Sequence, residues 1–139
     1  MKYIILFIIL LFAIASCQMF PDYDSPDLRL DEYTYESISD WVLTNIKYTK
    51  DIVDEWQNPG ETIDLMAGDC EDRAILFLYL VNKYLGEKAD LQGIHFINSE
   101  INHMTAIIDD YRFNLNRDYD FIVLQTIPYH KVFGLTKYY

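Results

Sequence analysis

The chain has 139 residues, about half of them apolar, with 12 Tyr and a formal net charge of −11. That length holds one domain with a modest core. The acidity excludes a nucleic-acid partner and an electrostatic grip on anionic lipid as expected roles, and its simplest use is a solvated surface.

The first residues read as an export signal rather than as fold. Lys2 precedes an unbroken apolar run, Ile4 to Ile14, and Ala15-Ser16-Cys17 follows. The run is too short to span a bilayer comfortably, and small residues stand next to the cut. The segment Ile14-Ala15-Ser16-Cys17 resembles a bacterial lipobox. That resemblance implies cleavage of residues 1–16, lipidation of Cys17 with chains such as palmitate, and a stable anchor. The expected location is the exported face of a bacterial membrane, periplasmic or cell-surface. Loss of residues 1–16 removes only Lys2 among the charges, leaving 10 basic against 22 acidic side chains. It also leaves Cys70 with no disulfide partner. Residues 17–34, with Pro21, Pro26 and no period, are expected to be the lipidated tether. The domain is expected over 35–139.

Ser37 or Ser39 can cap a first helix. Ile38, Trp41, Val42, Asn45, Ile46 and Thr49 keep helical spacing, and Ile52, Val53 and Trp56 extend it more weakly. Asn58-Pro59-Gly60 breaks the chain. A short helix is expected over Glu61 to Met66, and a strong one from Cys70 to Leu85, stopped by Gly86. Ala74 to Val81 is apolar except for the Tyr79 hydroxyl, so this helix should lie in the middle of its domain.

After Gly86 the period changes to two. Leu91 to Ile97 reads as a strand and Asn98-Ser99-Glu100 as a turn. His103 to Ile108 and Tyr111 to Asn116 flank Asp109-Asp110, a tight hairpin. Its register would pair Ile108 with Tyr111, Ile107 with Arg112, Ala106 with Phe113, Thr105 with Asn114, and His103 with Asn116. Met104, Ala106, Ile108, Tyr111, Phe113 and Leu115 then share a core face. A last strand is expected over Phe121 to Thr126, with a tail after Pro128. The fold class is α+β: N-terminal helices, a central Cys-bearing helix, and an antiparallel sheet behind.

Cys70 carries the chemistry this pattern suggests. At a helix N-terminus the dipole and free N–H groups favour a thiolate, which is the nucleophilic form. An imidazole beside it would take and return protons. The hairpin offers His103, and opposite it Asn116, whose amide can orient the ring. Asp69, Glu71 and Asp72 work against a thiolate unless they point away or pair with Arg73. His95 and His130 read as ordinary strand and tail residues. No metal or cofactor is expected: Asp51, Asp54 and Glu55 lie on successive helix faces and do not converge on one ion.

"GDCEDRA" at 68–74, with Trp56 and the "PGET" of 59–62 upstream and a hairpin beginning at His103, resembles the transglutaminase-like superfamily, specifically its small bacterial cysteine-proteinase-like members. The resemblance spans Ile38 to Leu124. It implies a papain-like core, Cys70 as nucleophile, His103 as base, and a third member on the returning strand. That family usually has Asp there. This chain offers Asn114, Asn116 and Asp118, with Asn116 favoured by the hairpin register. The implied reaction is acyl transfer on a protein or peptide amide through a thioester, resolved by water (protease or amidase) or by an amine (transglutaminase). The Cys70 N–H is one expected oxyanion donor, with the Trp56 indole or the Gln57 amide as the second. The alternative is an inactive transglutaminase-like lipoprotein serving as a binding or scaffold module.

Overall fold

The computed structural model describes residues 23, 27–52, 55–115 and 118–136. The expected export signal, Cys17, Val53, Asp54 and Asn116 lie outside them. In chain order the elements are α1 (Tyr35–Asn45), β1 (Lys47–Tyr48), α2 (Pro59–Leu65), β2 (Ala67–Gly68), α3 (Cys70–Leu85), β3 (Asp90–Phe96), β4 (Asn102–Ile108), β5 (Tyr111–Arg112), β6 (Phe121–Ile127) and α4 (Tyr129–Val132). The class is α+β, as expected, with α3 as the central helix.

The cap of α1 is Thr34, not Ser37 or Ser39. The Thr34 hydroxyl accepts from the Ser37 N–H at 3.1 Å, and the Ser37 hydroxyl accepts from the Thr34 N–H at 2.9 Å. This reciprocal box settles two helix-end donors at once. Ile38 and Val42 form the buried stripe of α1. The helical spacing expected to continue through Ile46 and Thr49 does not become helix past Asn45. Ile46 is extended, and Lys47–Tyr48 pairs in parallel with Ala67–Gly68. Lys47 N–H donates to the Met66 carbonyl at 2.9 Å and Thr49 N–H to the Gly68 carbonyl at 3.0 Å. Tertiary pairing outweighs local spacing here, and it clamps the segment that leads into Cys70.

In α3 every side chain from Asp72 to Val81 is buried. The helix packs against α1, α2 and β4. Ile75, Leu76, Phe77, Leu78 and Leu80 are fully enclosed. Each such side chain contributes roughly 1.5–3 kcal/mol by leaving water. Phe77 stacks on Phe113 with ring centroids 4.7 Å apart, which ties the helix to the hairpin.

The sheet runs β5-β4-β3-β6, all antiparallel. The hairpin pairs Ile108 with Tyr111 and Ile107 with Arg112, as its Asp-Asp turn requires. Phe113 N–H still reaches the Ala106 carbonyl at 2.9 Å. There the returning strand ends. Asn114 takes a left-handed backbone, φ 51°, and the Thr105 hydroxyl donates to the Phe113 carbonyl. The expected pairing of Thr105 with Asn114 is therefore not a ladder pair, and the outer edge of β4 opens beside His103. Asn tolerates this backbone better than most residues, and a left-handed residue cannot continue a strand.

Part of the expected tether lies on the domain. Leu28 is buried in the core, and Tyr33 stacks on Tyr84 at 4.5 Å. The stretch after Pro128 is a short helix whose Tyr129 and Val132 are buried. Its first N–H donates to the Asp90 carboxylate at 3.0 Å. Among the described residues no helix is long and apolar enough to cross a membrane.

Candidate active site

The Gly68–Asp72 stretch is a folded lock that sets where Cys70 begins its helix. Asp69 caps α3 by accepting from the Asp72 N–H, and Asp72 accepts in return from the Asp69 N–H at 3.2 Å. The other Asp72 oxygen accepts the Gln57 N–H at 2.8 Å, drawing the 55–58 loop against the helix start. Gly68 is necessary for this arrangement: a Cβ there would lie 2.6 Å from the Asp72 Cβ. Asp72 is wholly buried, and burial pushes its carboxyl up to about 6 despite the two N–H donors.

Cys70, at the first position of α3, is half-buried and unpaired. It lines a cavity of about 240 Å³ together with Glu71, His103, Met104, Leu124 and Gln125. The Met104 main-chain N–H points at the sulfur, from the open edge of β4. His103 is the neighbouring residue on that strand. Cys70 and His103, far apart in sequence, thus share one cavity.

The electrostatics differ from the thiolate expected at a helix start. Burial, and then a hydrogen bond from Cys70 Sγ to Glu71 Oε2 at 2.8 Å, push the thiol up to about 12. Glu71 is itself pushed up to about 7, first by burial. Arg73 does not pair with the acidic flanks. Its guanidinium donates to the Leu43 carbonyl at 3.2 Å and lies 6.0 Å from the centre of the Tyr48 ring. The resting sulfur is a thiol aimed at Glu71. Desolvation of the thiolate and the adjacent Glu71 carboxylate outweigh the Met104 N–H that favours it.

His103 is held below its ordinary pKa, chiefly by burial, so the imidazole is neutral. Its ring is hydrogen-bonded to the main chain of Asn114, and it stacks on Phe96 at a centroid distance of 6.0 Å. The described orienting partner is therefore a main-chain carbonyl, available because the hairpin turns out at Asn114. Asn116 lies outside the described residues. Asp118 lines a separate hollow with Phe96 and Tyr119.

The two residues expected as a second oxyanion donor do not reach this cavity. Trp56 packs against the core. The Gln57 main-chain N–H is already bound to Asp72, and its side-chain oxygen accepts from the Thr62 hydroxyl at 3.0 Å. Of the remaining histidines, His95 meets Asn102 Oδ1 at 2.8 Å across the β3–β4 pair, and His130 is exposed on α4. Asp51, Asp69 and Asp72 each bring an oxygen to within 4.8 Å of the others, the described set whose spacing would admit a cation. The hydrogen bonds between Asp69 and Asp72, and from Gln57, already give two of them structural work.

Gln125 and the Met104 N–H escaped sequence reasoning. Neither carries a motif. Gln125 reaches the cavity only because β6 lies beside β3, an adjacency that no local pattern reports.

Comparison with protein families matches residues 28–132 to a transglutaminase-like domain. No curated protein matches the chain. The matched span takes in the helix that bears Cys70, the hairpin that bears His103 and most of the described chain, and the chain belongs to the transglutaminase-like domain family.

Proposed function

We propose that this protein is a membrane-anchored cysteine enzyme that transfers acyl groups from a protein or peptide amide. The observation that carries the reading is the shared cavity of Cys70, at a helix start, and His103, on the open edge of β4. The neutral imidazole, with one ring nitrogen tied to the Asn114 main chain, keeps the other nitrogen available as a base. In this reading the thiol leaves Glu71 when substrate enters. Its proton passes to His103 as the sulfur bonds to the amide carbon, and His103 returns that proton to the departing amine. Water or a second amine then resolves the thioester. Asn116 is the third member that the hairpin register favours where the family usually has Asp, and the Asn114 carbonyl performs the same orienting task in the described residues.

The test is iodoacetamide labelling of Cys70 across pH in the wild type and His103→Ala. A slower rate and a shifted titration in His103→Ala are expected. Identical titrations would mean that the pair does not exist. The anchor is tested separately: Cys17→Ala should lose palmitate incorporation and release the protein from membranes.

One observation favours a second reading. The thiol is committed to Glu71, and no hydrogen bond joins Cys70 to His103 among the described residues. In a binding or scaffold lipoprotein, Cys70→Ala would lower stability and leave function intact. In the catalytic reading it abolishes turnover.

A further inference from the structure

The strand on the far side of β3 supplies a group that the catalytic reading still lacks. Gly93 pairs with Gln125, and Ile94 pairs with Val123, so two residues of β3 face three of β6 and Leu124 is the extra one. A bulge of this kind re-aims side chains next to it. Leu124 and Gln125 both line the Cys70 cavity. An ideal Cβ on Gly93 would lie 3.2 Å from Gln125 Cγ, 3.5 Å from its Nε2 and 3.7 Å from Met104 Sδ. The Gln125 side chain therefore lies folded across β3 toward Met104, the residue whose N–H points at Cys70. The absence of a side chain at Gly93 leaves that path open.

Gln125 lies on the solvent-exposed edge strand, and no hydrogen bond to the protein holds its amide among the described residues. The other amide lining the cavity, Asn102, has its Oδ1 against His95 Nδ1 at 2.8 Å. A neutral N–H donor that lines the same small cavity as a nucleophile suits a charge that appears only during reaction. Resting on the catalytic reading above, we infer that Gln125 is a catalytic residue whose Nε2 donates to the substrate carbonyl oxygen, opposite the main-chain N–H of Cys70. As the Cys70 sulfur bonds to the carbonyl carbon, its proton passes to His103 and the C=O π pair moves onto the oxygen. Gln125 holds that oxyanion until the pair returns and the leaving group departs.

Two reagents separate this role from general effects on the thiol. p-Nitrophenyl acetate acetylates cysteine through a tetrahedral oxyanion and releases p-nitrophenolate. Iodoacetamide alkylates the same sulfur by displacing iodide, with no oxyanion. Gln125→Ala and Gln125→Met should slow single-turnover acetylation of Cys70 by at least about tenfold, while the alkylation rate stays within about twofold. Equal losses in both reactions would overturn the assignment, as would wild-type acetylation in both variants. Cys70→Ala distinguishes the two levels of the argument. If it releases nitrophenolate as fast as the wild type, the cysteine reading and the role of Gln125 fall together. If it is silent while Gln125→Met keeps the wild-type rate, Gln125 alone is excluded.

Discussion

The body and the first turn of α3 are built on opposite principles. From Ala74 to Val81 the helix is enclosed by apolar neighbours and offers nothing reactive. From Asp69 to Arg73 the same helix buries three charged residues, Asp69, Asp72 and Arg73, and a thiol beside a carboxylate. The body follows the rule that apolar surface leaves water. The turn goes against that tendency and persists because its carboxylates have N–H partners and its backbone is clamped by β1 and β2. A stable helix thus carries a first turn that is electrostatically uncomfortable, and this is the turn that presents Cys70.

Breaking the body gives the largest effect. Phe77→Ala removes a fully buried ring stacked on Phe113 and should cost about 3–5 kcal/mol, read from the urea midpoint at constant slope. Gly68→Ala attacks the turn. Its Cβ meets the Asp72 side chain, so a loss of about 1–3 kcal/mol is expected, together with a changed Cys70 labelling rate. An unchanged labelling rate would show that the lock does not position the thiol.

The two regions also separate by pH. Asp72 rises from its ordinary 3.8 to about 6 in the folded chain, and Glu71 from 4.5 to about 7. Both hold a proton more tightly when folded. Their contribution is therefore fully present below about pH 4 and is lost as pH climbs to about 7. The urea midpoint should fall across that window, and Asp72→Asn should flatten its lower part. A midpoint that rises from pH 4 to 7 would contradict the burial of these carboxyls. The smallest effect is kinetic. Glu71→Gln removes the charge beside the thiol, and alkylation of Cys70 at pH 7 should quicken by about tenfold, the equivalent of one pKa unit. An unchanged rate would assign the high thiol pKa to burial alone.

Gly86, the apolar run of α3 and the alternation of β3, β4 and the Asp109-Asp110 turn made the central helix and hairpin legible in the sequence. Those signals are local, since periodicity and turn chemistry act within a few residues. The cap of α1 was misread because Thr34 stood outside the apparent period. Its continuation past Asn45 was misread because pairing with Ala67–Gly68, a distant partner, decided it. In the site, Cys70 and His103 were legible as residue types at plausible places. The sequence determined which chemistry was available and that a buried helix would present it. Only the tertiary structure decided the protonation of the thiol, the main-chain partner of His103 and the arrival of Gln125. Those depend on desolvation, on where a strand turns out and on which strands are neighbours, and all three are set by distant parts of the chain.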